Sequence, residues 1–101
     1  MVRMVHDINP THLFPQEYTN TPLGSIRATV MVETLPAAFE MEAMLYELRN
    51  YACGMNAGRW DYIFSAIKVL KTRGDCIMPD RKQVTMTVPF MHAYAERLVK
   101  V

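Results

Sequence analysis

At 101 residues, half of them apolar and 21% charged, with 11 basic residues against 10 acidic, the chain has the composition of one small globular unit. A net charge of +1, with no long run of either sign and no basic stripe interleaved with aromatics, argues against nucleic acid as a partner. No stretch approaches the roughly 18 apolar residues of a membrane helix, MVRMVHDINPTHLF lacks the apolar core of a secretory leader, and the final RLVKV is not a peroxisomal Ser-Lys-Leu address.

Residues 1–11 carry little pattern, and Asn9-Pro10 marks them as loop. His12 to Thr19 reads as the end of a helix, kept short by Pro15. Thr21-Pro22-Leu23-Gly24 reads as a turn. Ile26 to Glu33 is the clearest strand, with Ile26, Ala28, Val30 and Val32 on one face and Arg27, Thr29, Met31 and Glu33 on the other. Thr34 is placed to cap a helix over Ala37 to Tyr51, with Pro36 in its first turn. Its apolar stripe is Ala38, Met41, Leu45, Leu48 and Ala52, and its methionines are core filling.

Ala52 to Trp60 is a poor strand by propensity and reads as a short strand or a turn. Asp61 or a neighbour opens a second helix over about Tyr62 to Thr72, with Ile63, Ile67 and Leu70 on one face and Gly74 to stop it. Asp75 to Gln83 is a polar connector. Val84 to Thr87 reads as a third strand, Thr87 as a cap, and Pro89 as the first position of a last helix through Phe90, Ala93, Tyr94, Leu98 and Val101.

Alternation of strand and helix is the grammar of a parallel α/β sheet, here about three βα units. The fold class expected is a partial (β/α)8 TIM-barrel segment, too short to close a barrel that typically needs about 250 residues. Glu33 and Asp61 fall at the ends of consecutive strand-to-helix connections, where parallel α/β folds carry functional side chains. Arg27 and Arg59 lie near enough in sequence to be considered as anion binders, although a strand-edge arginine is more often a surface residue. Lys68, Lys71, Arg73, Arg81 and Lys82 read as a solvated face. Cys53 and Cys76 form no CxxC, so free thiols in a reducing, cytoplasmic compartment are the simpler reading. His6, His12 and His92 have no metal-ligand spacing.

Three stretches are more specific than this grammar. ETLPAAFEME, RNYACGMNAGRWDYIF and PDRKQVTMTVPFMHAYAERLVK resemble the central part of malate synthase in its shorter bacterial and glyoxysomal form. The resemblance runs from about His12 to Val101, leaving residues 1–11 as an unmatched extension. GMNAGRWDYIF covers the family's signature, with Met55 where the family usually has Leu; just before it, Tyr51 stands where the family usually has His.

The resemblance implies an enzyme that uses magnesium to condense glyoxylate with acetyl-CoA and water, giving malate and free CoA. It implies that Glu33 and Asp61 are the carboxylates that hold Mg²⁺, and that the backbone amides of Trp60 and Asp61 bind the glyoxylate carboxylate. Mg²⁺ takes hard oxygen ligands, one or two of them protein carboxylates, and a helix start suits an anion. It implies too that the catalytic base and the enolate-stabilising Arg lie outside this chain, which then supplies no catalytic residue and is inactive alone. Localisation is cytoplasmic, with the glyoxysome as alternative. Two other readings compete: a non-enzymatic module binding Mg²⁺ and an oxo-acid, and an interaction fragment that self-associates through exposed barrel surface.

Overall fold

The computed structural model describes residues 20–22 and 24–101. The expectations for residues 1–19, with His6 and His12 among them, lie outside the described residues. The turn before the first strand is present. Gly24 has φ +82°, and a Cβ there would sit 2.9 Å from the Asn50 carbonyl, so both backbone conformation and space require glycine.

The first strand, β1, spans Ala28–Val32, with Ala28, Val30 and Val32 turned inward and Thr29 and Met31 exposed. This is the alternation expected, over a shorter span. The second, β2, spans Ala52–Ala57 and runs parallel to β1, pairing Thr29 with Gly54 through Val32 with Ala57. Low propensity here yields to pairing, as Met55 packs on the core.

Between the strands lie two helices where one was expected: α1 (Leu35–Ala38) and α2 (Met41–Glu47). Thr34 caps α1 through its side chain, and Pro36 sits in the first turn, as the sequence implied. Backbone bonds from Phe39 to Pro36 and from Glu40 to Ala37 then tighten the chain. The Ala38 carbonyl, which a continuous helix would use internally, accepts from Arg97 Nε at 2.8 Å. That side-chain cap ends α1 and lets Met41 and Met44 enter the core.

Helix α3 (Arg59–Leu70) starts before the expected Tyr62, with Gly58 as its N-cap. Tyr62, Ile63 and Ala66 are its buried residues, while Ile67 faces out, so the inward face is rotated from the one expected. Gly74 does not stop it; the helix ends at Leu70, and Gly74 opens a 3₁₀ turn, Gly74–Cys76. A second 3₁₀ turn, Arg81–Gln83, is capped by Asp80, whose carboxylate accepts from the Lys82 amide at 2.9 Å.

The third strand does not form. Val84 is buried, but its carbonyl takes the Arg59 guanidinium at 2.7 Å instead of a neighbouring strand, and turns follow it. The expected three βα units are corrected to two parallel strands, order β1-β2. Helix α4 (Pro89–Lys100) is capped at Val88, not Thr87, whose hydroxyl bonds Thr85 instead at 2.7 Å. Pro89 holds the first position as expected.

The core gathers Val32, Met41, Met44, Tyr62, Ile63, Val84, Met91 and Tyr94 on one face of the sheet. Met31, half exposed, marks the other face as open. The result is a small α/β piece with an unclosed parallel sheet. Met41→Ala is expected to cost about 2–5 kcal/mol by lost burial and a residual cavity. Val99→Ala, at a position 83% exposed, should stay within about 0.5 kcal/mol. Comparing the two denaturation midpoints checks both.

Candidate functional site

The two strands stay in register to Val32 and Ala57, and the next residues are Glu33 and Gly58. The Gly58 amide reaches the Val32 carbonyl at 3.4 Å, one last rung at the carboxyl end of the sheet. Beyond it the chains part, one toward α1 and the other into α3. This is the edge where parallel sheets bind ligands.

Glu33 lies directly against Gly58. A Cβ on Gly58 would sit 2.5 Å from Glu33 Cβ, 2.9 Å from Glu33 Oε2 and 3.3 Å from Met31 Sδ, so only glycine admits the carboxylate here. Asp61 follows in the first turn of α3, exposed. Neither carboxylate has a hydrogen-bond or ion-pair partner among the described residues.

The first closed turn of α3 is the bond from the Tyr62 amide to the Gly58 carbonyl, 3.0 Å. The amides of Arg59, Trp60 and Asp61 precede it, and no side chain caps them. Together with the helix dipole they leave partial positive charge beside Glu33. Two expected features therefore meet at one edge: the acid at the end of β1, and the acid and free amides at the start of α3.

Tyr94 completes the edge from below. Its hydroxyl donates to the Val32 carbonyl and accepts from the Gly58 amide at 3.1 Å. Its ring stacks on Tyr62, centroids 3.8 Å apart and planes within 7°. Burial raises the Tyr94 phenol above its ordinary pKa, the Gly58 N–H opposes this, and the nearby Tyr62 and Glu33 add to the rise. The phenol therefore keeps its proton at neutral pH and remains a donor. Sequence reasoning counted Tyr94 only as an apolar position; the one available signal was that a buried tyrosine hydroxyl needs a partner.

Trp60 and Asp61 line a cleft of about 320 Å³ with Phe64, Met78 and Arg81. Guanidinium groups attend the Trp60 ring, Arg59 at 4.3 Å and Arg81 at 5.4 Å. Arg59 is thus engaged with Trp60 and the Val84 carbonyl. A larger cleft, about 570 Å³, opens between α1, α3 and α4, but it is apolar and holds neither acid.

Arg27 does not join the site. It precedes β1, on the order of 20 Å along the strand from Glu33 at about 3.3 Å per residue, and it donates to the Asn50 carbonyl at 3.3 Å. Tyr51 is likewise at the far edge, buried, its carbonyl accepting from Ala28 at 2.8 Å. Lys68, Lys71, Arg73, Arg81 and Lys82 are exposed, Arg73 paired with Asp75 at 2.7 Å. Cys53 and Cys76 are free thiols, and His92 is exposed beside Glu96 at 4.0 Å.

The donor set suits Mg²⁺. Among the described residues no cluster of three or more His, Cys, Asp or Glu forms, but Mg²⁺ takes one or two carboxylates and fills its remaining positions with water and substrate.

A family model described as malate synthase, TIM barrel domain, matches residues 3–101. The chain is 56% identical over 91% of its length to a malate synthase of Streptomyces clavuligerus, and covers 17% of that protein. It is 51% identical over 85% of its length to the glyoxysomal malate synthase of Candida tropicalis, covering 16%. It is 49% identical over 86% of its length to malate synthase A of Escherichia coli, again covering 16%. The chain thus spans about a sixth of the relatives it matches. Among the described residues no helix is long and apolar enough to cross a membrane.

Gly58→Ala is expected to destabilise the chain by about 1–3 kcal/mol through overpacking. The signature should be local: the amide resonances of Glu33 and Asp61 shift, while those of α2 stay in place.

Proposed function

The chain belongs to the malate synthase family, within its barrel domain, and from that premise we propose that it carries the half-site for Mg²⁺ and glyoxylate. The reaction is the condensation of glyoxylate with acetyl-CoA and water to malate and CoA. The observation that carries this reading is the contact of Glu33 with Gly58, the N-cap of α3, whose uncapped first turn holds Asp61.

In this reading Glu33 and Asp61 hold Mg²⁺. The metal, when bound, polarises the aldehyde carbonyl of glyoxylate as a Lewis acid. The amides of Trp60 and Asp61 take the glyoxylate carboxylate, supported by the α3 dipole. Gly58 leaves room for the Glu33 carboxylate, and Tyr94 holds the Val32 carbonyl and the Gly58 amide that flank it. Trp60 and Phe64 supply an apolar wall to the cleft beside Asp61, which Glu33 does not line.

Proton abstraction from the acetyl methyl needs a positioned base, and the enolate formed needs a cation. We assign both to parts of the family's length that this chain does not span, so acetyl-CoA is a substrate of the longer protein. The free thiols agree with a cytoplasmic location, the glyoxysome being the alternative.

Calorimetry should show the chain binding glyoxylate only when Mg²⁺ is present, with Glu33→Gln or Asp61→Asn abolishing the heat. The chain alone should release no CoA from acetyl-CoA and glyoxylate. Binding that ignores Mg²⁺, or glyoxylate-dependent release of the thiol, would overturn the proposal.

A further inference from the structure

The rung between the Gly58 amide and the Val32 carbonyl is long, 3.4 Å, and beyond it β1 and β2 separate. Among the described residues no further backbone–backbone bond joins the two arms here; farther on, the Leu35 amide donates to the Ser65 hydroxyl of α3 at 3.0 Å. At the strand ends themselves the ladder alone therefore holds the Glu33 connection to the start of α3 weakly. The Tyr94 hydroxyl supplies what the ladder lacks. It donates to that same carbonyl and accepts from that same amide, 3.1 Å away. The ring is almost fully buried, and its stack on Tyr62 fixes it to α3 in the turn that follows Asp61. One side chain from α4 thus grips the end of β1, the N-cap of α3 and the body of α3.

We propose that Tyr94 is a positioning residue for the half-site, its hydroxyl setting the Glu33 carboxylate against the amides that open α3. The inference rests on the metal and oxo-acid reading above. Its mechanism is geometric. Glu33 is one peptide from the carbonyl that Tyr94 holds, and it touches Gly58, whose amide Tyr94 also holds. Removing the hydroxyl leaves that amide with only the long rung, and rotation about Gly58 carries the uncapped amides of α3 away from Glu33. Groups that orient metal ligands without touching the metal typically contribute about ten- to a hundredfold to metal affinity.

The test is Mg²⁺ affinity, by calorimetry in saturating glyoxylate, for the unaltered chain, Tyr94→Phe and Tyr62→Phe. Measurements are made well below each melting midpoint. Tyr62→Phe is the control, because its hydroxyl has no hydrogen-bond partner among the described residues while its ring occupies the same stack. Tyr94→Phe should weaken Mg²⁺ binding about ten- to a hundredfold, with Tyr62→Phe unchanged. Equal weakening by both, or full affinity in Tyr94→Phe, overturns the positioning role while the metal reading stands. No Mg²⁺ binding by the unaltered chain overturns the metal reading and this inference with it.

Should Tyr94→Phe fail to fold, the Gly58 amide of the unaltered chain decides. Its hydrogen exchange should slow when Mg²⁺ and glyoxylate are added, since the hydroxyl and the ligand hold the same turn. Exchange that is indifferent to the ligand contradicts the proposal.

Discussion

The phenol hydroxyl of Tyr94 stands where two parallel strands end and their chains diverge, bonded to a carbonyl of one and an amide of the other. A parallel pair has no hairpin to tie its ends, and its connections leave through helices on the same face. The edge where function concentrates is therefore the edge the backbone holds least well. In this chain a residue from the last helix closes it. The core repeats the arrangement on a larger scale: Met91 and Tyr94 of α4 pack with Val32, Met41 and Tyr62, and Arg97 caps α1 through the Ala38 carbonyl. Helix α4 is thus a brace, and the strand ends keep their geometry through it.

Close approach is the second constraint. Gly58 lets Glu33 lie against the start of a helix whose first amides are uncapped, so an acid and an anion-binding surface share one corner. A carboxylate near a helix N-terminus is favoured by the dipole, and adjacent free amides favour an anionic ligand. In the proposed reading, a metal held by Glu33 and Asp61 would lower the repulsion between those acids and a carboxylate substrate. Ligand and site would in this way be complementary in charge only as a set of three.

Much of this was legible in the residues, and the failures are informative. The alternation of β1 and the Thr34 cap were read correctly because each depends on local chemistry. The break at Phe39 was not, since it depends on Arg97 reaching the Ala38 carbonyl from α4. The third strand was misread at Val84 for a similar reason: an apolar, β-branched residue signals burial, and the guanidinium of Arg59 takes the carbonyl a strand would have paired. The earlier start of α3 and the rotation of its buried face follow from Gly58 acting as the cap. At the site, both acids and both amides were named from the sequence, while the Tyr94 bridge was not. A hydroxyl that joins residues distant in sequence leaves no periodic trace.

The position of a bound metal is the decisive observation. Mn²⁺ also favours carboxylate oxygen and is paramagnetic, so titrating it into the isotope-labelled chain with glyoxylate broadens the amide resonances nearest the ion. Glu33 and the stretch from Gly58 to Asp61 should broaden first and together. Broadening centred on Asp75 or Glu96, or spread evenly over the exposed acids, would contradict it.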